Sequence, residues 1–163
     1  MNPVIWWIRN SFQSVQGLES KDLQERLKLG REQLLLLDVR SPAEYEVSHL
    51  EGAIHVDPQT TDMEKLVKEL GLADSLADRD VVCYCTLGYR SCKLAQGLGK
   101  VLARETGEGV GNSQRIYNLE GGLMKWANEG KPIVDSKEQP TQLVHPYSSV
   151  WAYLLEPQFR API

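Results

Sequence analysis

Cysteine and histidine are both scarce in this sequence, which has three of each. The three cysteines, Cys83, Cys85 and Cys92, lie within ten positions, with no histidine pair nearby and no zinc-type spacing. An odd, clustered set of this kind excludes a disulfide scaffold and a structural zinc site. We therefore expect free thiols, no metal or other cofactor, and a reducing compartment, the cytoplasm.

Long hydrophobic runs and an excess of positive charge are also missing. The apolar run at residues 4–8 is far too short to cross a bilayer, and no lysine or arginine precedes it. We expect no transmembrane segment, and interpret the run either as a tail whose aromatics pack on the domain or as a contact for a partner or membrane surface. The formal net charge of -4 predicts no nucleic-acid partner.

Length and composition indicate one folded domain. A chain of 163 residues with 42% hydrophobic and 25% charged residues can bury one core but not two ordinary ones. We predict an N-terminal tail at residues 1–16, a domain at residues 17–135 and a C-terminal tail at residues 136–163. The C-terminal tail carries Tyr147 and Trp151, and we expect its aromatic residues to pack back on the domain.

Two apolar runs predict buried strands of a parallel sheet: residues 34–39, in which Asp38 is the one polar residue, and residues 81–84. Further strands are predicted at residues 53–56 and 115–119, and a helical pattern separates each strand from the next. This alternation predicts an α/β fold with a central, mostly parallel sheet of about five strands and helices on both faces.

Polar residues predict where the helices begin. Ser41 with Glu44 indicates a capping box, Thr61 with Glu64 indicates a second one, and Ser91 indicates a serine cap. A glycine-rich segment at residues 106–113 resembles a dinucleotide-binding loop in spacing only. It follows a predicted helix and leads into a strand, whereas such a loop must follow a strand and open a helix, so we interpret it as a flexible connection.

A short loop between a predicted strand and a predicted helix carries the residues suited to catalysis. The segment CTLGYRS, residues 85–91, would curl and point backbone N–H groups and the positive end of the helix dipole at Cys85. These dipoles and Arg90 favour the thiolate over the thiol. Gly88 would supply a positive φ or a close approach, and Arg90 a forked cation for an oxyanion such as thiosulfate. The loop therefore predicts an activated cysteine nucleophile.

The loop and its flanking segments resemble the single-domain rhodaneses, the thiosulfate sulfurtransferase-like family. The flanking motifs are LLLDVRSPAEYEVSHLEGAIHV before the loop and YNLEGGLMKWANEGKP after it, and the resemblance spans roughly residues 17–134. In this fold a six-member loop, with four residues between cysteine and arginine, goes with sulfur transfer. Seven-member loops go with related phosphatases and arsenate reductases. The resemblance implies a rhodanese-like domain and sulfur chemistry.

The resemblance also implies the site residues. Cys85 matches the persulfide-forming cysteine, and the substrate-binding positions are those of the loop: Thr86, Leu87, Gly88, Tyr89 and Arg90. Three upstream residues, Asp38, Arg40 and Glu44, match a pattern in which the arginine pairs with the glutamate beneath the site. Their implied role is structural support, and Glu44 has the second possible role of helix cap.

The implied reaction moves sulfane sulfur through a Cys85 persulfide. The implied donors are thiosulfate, polysulfide or glutathione persulfide, and the acceptor is a thiol, another small nucleophile or a protein. Because the loop contains no charged residue besides Arg90, we favour a thiol persulfide over thiosulfate. Two alternatives stay open: a non-catalytic rhodanese-like module that binds proteins, and a phosphatase or arsenate reductase of the same fold.

The other cysteines and the histidines are interpreted as structural. Cys83 and Cys92 are expected to be packed thiols, with the alternative that either resolves an oxidised Cys85. The three histidines, His49, His55 and His145, lie outside the loop, and none is assigned as a general base.

Overall fold

A parallel sheet forms the centre of the protein. The computed structural model describes residues 2–72, 79–106 and 116–162. The strands of the sheet are β1 (Gln16–Leu18), β2 (Leu34–Asp38), β3 (Ile54–His55), β4 (Asp80–Tyr84) and β5 (Ile116–Leu119). Their order is β1-β5-β4-β2-β3, and each of the four neighbouring pairs is parallel. The predicted α/β class is confirmed.

Six helices and a small second sheet surround this centre in the described part of the chain. The helices are α1 (Asn2–Ser11), α2 (Ser20–Leu29), α3 (Pro42–Val47), α4 (Met63–Leu70), α5 (Tyr89–Thr106) and α6 (Gly122–Asn128). The second sheet pairs β6 (Ile133–Val134) with β7 (Pro140–Thr141) in antiparallel fashion. Single 3-10 turns lie at Arg31–Gln33, Trp151–Leu154 and Pro157–Phe159.

Each face of the parallel sheet is buried in its own hydrophobic cluster. In β2, Leu34 and Leu36 belong to one cluster and Leu35 and Leu37 to the other, because successive side chains of a strand point to opposite faces. The first cluster contains side chains of α2 and α6, and the second contains side chains of α4 and α5. Helices therefore cover both faces, as predicted, which explains why β2 and β4 each contain four consecutive apolar residues instead of alternating apolar and polar ones.

Two of the three predicted helix caps are wrong. Ser41 and Glu44 do form the predicted capping box at the start of α3. In α4, however, the cap is Asp62 rather than Thr61, because the Asp62 carboxylate accepts the N–H of Lys65 at 3.0 Å. Ser91 is not a cap either, since α5 already begins at Tyr89 and Ser91 lies in its first turn.

The segments at both ends of the chain lie against the central domain. The apolar run at residues 4–8 is part of helix α1, whose Ile8 is buried, and the ring of Trp7 stacks on Tyr89 at 5.7 Å. Near the C-terminus, the N–H of Val144 donates to Phe159 O at 2.7 Å. The side chain of Asn128 in α6 also donates a hydrogen bond to the carbonyl of Leu154 and accepts one from the N–H of Glu156.

Most of the glycine-rich segment at residues 106–113 lies outside the described residues, so its interpretation as a connection stays a prediction. Among the helices that are described, none is long and apolar enough to cross a membrane. Within the same residues there is no group of three or more histidine, cysteine and carboxylate side chains that could hold a metal ion.

Candidate active site

Cys85 lies at the carboxyl end of the central strand β4, where open α/β sheets place their ligands. Its side chain is only 2% exposed. The N–H of Gly88 donates to the Cys85 sulfur at 3.1 Å, and Gly88 has φ 116°, so the predicted positive φ is confirmed. A backbone dipole aimed at the sulfur stabilises negative charge on it.

Ser91 contributes a second polar group beside the sulfur. Its hydroxyl oxygen lies 3.4 Å from the Cys85 sulfur, 3.1 Å from Gly88 O, and within hydrogen-bond distance of the side-chain oxygen of Asn118. A hydroxyl has one proton to donate, so these three acceptors compete for it. When negative charge is on the sulfur, the Ser91 proton can turn toward it without any movement of the backbone.

The first turn of α6 holds the loop from the other side. The N–H of Leu123 donates to Cys85 O at 2.9 Å, and the N–H of Met124 donates to Thr86 O at 3.1 Å. These contacts require glycine at position 122, which has φ 61° and whose Cβ, if present, would lie 2.6 Å from Cys85 O. The loop therefore rests on backbone rather than on flexible side chains.

Glu44 joins helix α3 to the loop. Its carboxylate accepts hydrogen bonds from both terminal nitrogens of Arg90, at 2.8 and 2.9 Å, and from the hydroxyl of Thr86, at 2.7 Å. The same carboxylate accepts the N–H and hydroxyl of Ser41 in the capping box. Glu44 thus fixes the positions of two loop residues and also caps its own helix.

Burial by itself would raise the pKa of the Glu44 carboxyl. The hydrogen bonds and charge of Arg90, the Thr86 hydroxyl and the charge of Arg40 outweigh burial and lower that pKa to about 2. Burial would lower the pKa of Arg90, but its hydrogen bonds to Glu44 and its electrostatic interactions with Cys85 and Glu44 outweigh burial and raise that pKa. Both groups of this pair are therefore charged at neutral pH.

The predicted pairing of Arg40 with Glu44 is wrong. Arg40 instead forms a two-bond ion pair with Asp38, at 2.8 and 2.6 Å, and all atoms of both side chains are buried. Asp38 also accepts the hydroxyl of Tyr84 at 2.7 Å, and Tyr84 accepts the N–H of Leu50 at 2.9 Å. A fully buried charge needs its partner close by, and Asp38 stands two residues from Arg40 at the end of β2. The network fixes Tyr84, the residue before Cys85.

The guanidinium fork of Arg90 is bound within the protein, and the role of Arg90 in binding an oxyanion stays a prediction. Both terminal nitrogens of its guanidinium donate hydrogen bonds to Glu44. The guanidinium carbon Cζ lies 4.6 Å from the ring centre of Tyr147. Tyr147 has φ 74°, a backbone conformation that is strained for a residue with a large side chain. The charge of Arg90 is thus neutralised by one residue and covered by another.

An open pocket of about 570 Å³ lies over Cys85. Its floor is made by the loop, and its walls come from segments at the two ends of the chain. The wall residues are Pro3, Val4, Trp7 and Ile8 of α1 together with Tyr147 and Trp151. Ligand sites in proteins commonly have volumes of roughly 300–1,000 Å³, so the pocket can hold a small organic molecule.

The remaining cysteines and all three histidines have structural contacts, and the Nδ1 of His145 accepts the N–H of Tyr147 at 3.0 Å. All three cysteines are free, and Cys83 and Cys92 are buried. Burial, with a smaller effect of Cys85, raises the pKa of Cys92 to about 12, which leaves little thiolate for a resolving role. His49 stacks on Tyr45 at 3.9 Å, and the ring of His55 bonds Arg40 O.

Several residues of the site were missed by sequence reasoning. The sequence predicts Ser91 only as a helix cap. It gives Asn118 no role beyond its place in a predicted strand. A polar residue in an otherwise apolar buried strand is a signal that could have singled out Asn118. For Trp7 and Tyr147 no local signal exists, because their place beside the loop depends on how the chain ends fold back.

The fold and this geometry define an α/β protein that presents a buried cysteine in a loop between a central strand and a helix. The family model of the rhodanese-like domain matches residues 19–129, well over half of the chain. The chain belongs to the rhodanese-like domain family.

Curated relatives support sulfur transfer as its general chemistry. A sulfurtransferase of Allochromatium vinosum is 33% identical over 120 residues, which cover 74% of this chain and 95% of the relative. A tRNA uridine(34) hydroxylase of Pectobacterium atrosepticum is 33% identical over 97 residues, 60% of this chain but only 24% of the relative. The chain thus spans nearly the whole of the first protein and about a quarter of the second.

Solved structures show the same fold. A rhodanese-related protein from Thermoplasma volcanium has a TM-score of 0.52 and 23% identity, covering 73% of this chain and 97% of that one. The As-Sb reductase from Leishmania major has a TM-score of 0.57 and 18% identity, covering 71% of this chain and 78% of that one. At these identities the similarity concerns the fold alone.

Proposed function

We propose that the protein is a sulfurtransferase that carries sulfane sulfur as a persulfide on Cys85. The observation that carries the proposal is the environment of the Cys85 sulfur. It lies at the floor of an open pocket, with the Gly88 N–H at 3.1 Å and the Ser91 hydroxyl at 3.4 Å. Both groups can donate to an anionic sulfur.

The reaction consists of two nucleophilic displacements. In the first, the Cys85 thiolate attacks the outer sulfur of a donor, the donor's sulfur–sulfur bond breaks, and its electron pair leaves on a thiolate or on sulfite. In the second, an acceptor thiolate attacks the outer sulfur of the Cys85 persulfide and Cys85 leaves as thiolate. Atoms and electrons balance in both steps, so the reaction requires no cofactor. The three free thiols suit a reducing compartment, the cytoplasm.

A thiol persulfide is the preferred donor in this proposal, ahead of thiosulfate. Thiosulfate is a dianion and is favoured by free cations, whereas the Arg90 guanidinium is already bound to Glu44. We expect kcat/KM for glutathione persulfide to exceed that for thiosulfate by at least about tenfold, or roughly 1.4 kcal/mol. Steady-state kinetics with both donors would measure this ratio, and a preference for thiosulfate would contradict it.

Intact-mass spectrometry tests the persulfide itself. The wild type, Cys85→Ser and the matched control Cys92→Ser are each treated with glutathione persulfide and then with excess thiol. We expect the wild type and Cys92→Ser to gain the mass of one sulfur and lose it to the thiol, and Cys85→Ser to gain none.

Two outcomes would contradict the proposal. If Cys85→Ser gains sulfur as the wild type does, another residue carries it. If no protein gains sulfur from either glutathione persulfide or thiosulfate, a binding role without catalysis becomes the better explanation.

A further inference from the structure

About half of the residues that line the pocket over Cys85 lie outside the family match. The rhodanese-like match covers residues 19–129, whereas α1 precedes it and residues 147–151 follow it. Both segments line the pocket next to the nucleophile. The family core therefore supplies the cysteine, and the two end segments shape the space in which its substrate lies.

Aromatic contacts hold these segments against the loop. Trp7 stacks on Tyr89 with ring centres 5.7 Å apart, and Phe12 meets the same ring edge-on at 5.4 Å. On the other side, Tyr147 covers the guanidinium of Arg90 at 4.6 Å. The first turn of α5 is thus held between the two ends of the chain.

The pocket has no unpaired charge to attract an ionic substrate. Arg90 is the only charged residue that lines it in the described part of the chain, and Glu44 neutralises that charge through two hydrogen bonds. The side chains of Val4, Trp7, Ile8 and Leu87 offer apolar surface instead. Apolar surface of this kind binds an uncharged hydrocarbon group through the hydrophobic effect.

We propose that this pocket binds the uncharged, apolar organic group of a thiol or persulfide substrate, and that Trp7 and Tyr147 determine this specificity. The inference rests on the proposed sulfurtransferase function. An apolar persulfide would load Cys85 and leave as its thiolate; in the reverse direction, an apolar thiolate would take the outer sulfur and leave as the persulfide. The same organic group occupies the pocket in both directions.

A pair of thiols with the same ethanethiol core tests the proposal. The Cys85 persulfide is formed with glutathione persulfide and then mixed with 2-phenylethanethiol or 2-mercaptoethanol, and loss of sulfur is followed by intact mass. Rates are normalised to the thiolate fraction of each compound. We expect the wild type to react at least about tenfold faster with 2-phenylethanethiol, since pocket contacts with one small apolar group typically discriminate by 10–200-fold.

Matched substitutions identify the residues responsible. Trp7→Ala and Tyr147→Ala are expected to lower the wild-type preference several-fold. Trp6→Ala and Tyr153→Ala are the controls, because these two side chains are 64% and 81% exposed and do not line the pocket, so the preference should stay at the wild-type value. Equal rates for the two thiols in the wild type, or an unchanged preference in Trp7→Ala and Tyr147→Ala, would overturn the proposal. The exposed aromatic side chains would then be better explained as a contact surface for a macromolecular partner.

A binding measurement separates this inference from the sulfurtransferase proposal. Addition of 3-phenylpropanol, which has no thiol, is followed by NMR of the amides of residues 85–90 and of the Trp7 and Trp151 indole N–H groups. We expect saturable shifts in the wild type and weaker binding in Trp7→Ala. If Cys85 gains no sulfur but these shifts occur, the proposed reaction fails and the apolar site stands; if no shift occurs, the apolar site fails.

Discussion

At the scale of single residues, Glu44 has the contacts that matter most to the loop. It accepts hydrogen bonds from Arg90, Thr86 and Ser41 while its side chain is 2% exposed. A buried carboxylate with this many donors is stable only in its ionised form. The state of the loop is therefore linked to pH through a residue that does not touch the reacting sulfur.

This linkage predicts a loss of stability in acid. The pKa of Glu44 is about 2 in the folded protein, against an ordinary value of 4.5, so its contribution is fully present above pH 4.5 and is lost as the pH falls toward 2. The difference corresponds to a contribution on the order of 3 kcal/mol. Urea unfolding of the wild type and Glu44→Gln, measured from neutral pH down to pH 2, checks this.

We expect Glu44→Gln to be less stable at neutral pH and to lose less of its remaining stability on acidification. The Gln side chain cannot neutralise Arg90, and it does not titrate. Parallel stability curves for the two proteins between neutral pH and pH 2 would show that other carboxylates cause the acid sensitivity.

The residue scale also shows which pairings sequence could and could not predict. Cys85 and the positive φ of Gly88 follow from a short pattern, since a tight turn has few solutions. The partner of Arg90 does not follow from such a pattern. Glu44 and Arg90 are 46 positions apart, and their contact depends on the parallel pairing of β2 with β4.

At the scale of secondary-structure elements, the loop is held by the ends of two helices. α3 begins with the capping box of Ser41 and Glu44, and α6 begins with Gly122 against the carbonyls of Cys85 and Thr86. Each of these starts is set by one or two residues. Substitutions there should affect the loop without touching the nucleophile.

Removal of the α3 cap is expected to destabilise the fold. Ser41→Ala should lower the free energy of unfolding by about 1 kcal/mol, because the Glu44 N–H loses its acceptor. Thr61→Ala is the control, since Asp62 and not Thr61 caps α4, and its effect should stay within about 0.5 kcal/mol. Thermal or urea unfolding measures both, and an equal loss in the two variants would contradict the assignment of the caps.

Gly122→Ala is expected to displace the loop and slow sulfur transfer by at least about a hundredfold, because a misplaced reacting group costs roughly that much. Its new Cβ would meet Cys85 O at 2.6 Å. Gly130→Ala is a close control: Gly130 also has a positive φ, 72°, but a Cβ there meets nothing within 4 Å. Single-turnover loading of Cys85 compares the two variants, and equal rates would mean that the loop does not depend on this contact.

At the scale of the whole molecule, the core and the end segments differ in role. The core consists of the two hydrophobic clusters that cover the sheet. Leu37 in β2 is fully buried between strands and helices, whereas α1 buries mainly Ile8 and leaves Trp6 and Trp7 half-exposed or more. Stability therefore resides in the sheet and its helices. The end segments add the walls of the pocket.

Deletion of residues 1–11 is expected to leave a folded domain with a smaller loss of stability than Leu37→Ala. Loss of Ile8 burial should cost about 2 kcal/mol, and the exposed Arg9–Glu120 ion pair should add little. Leu37→Ala should cost about 2–5 kcal/mol because it leaves a cavity in the core. Urea unfolding checks both, and complete unfolding of the deletion variant would show that α1 is part of the core.

The sequence by itself determined the α/β class and the cap of α3, and it singled out Cys85 as the proposed nucleophile. These features depend on residues close together in the chain: apolar runs of strand length, a serine three residues before a glutamate, and a glycine in a short loop. Only the tertiary structure decided the partner of Arg90 and the walls of the pocket. Those contacts join residues far apart in the chain, so they exist only once the parallel sheet has brought its strand ends, α1 and the C-terminal segment together.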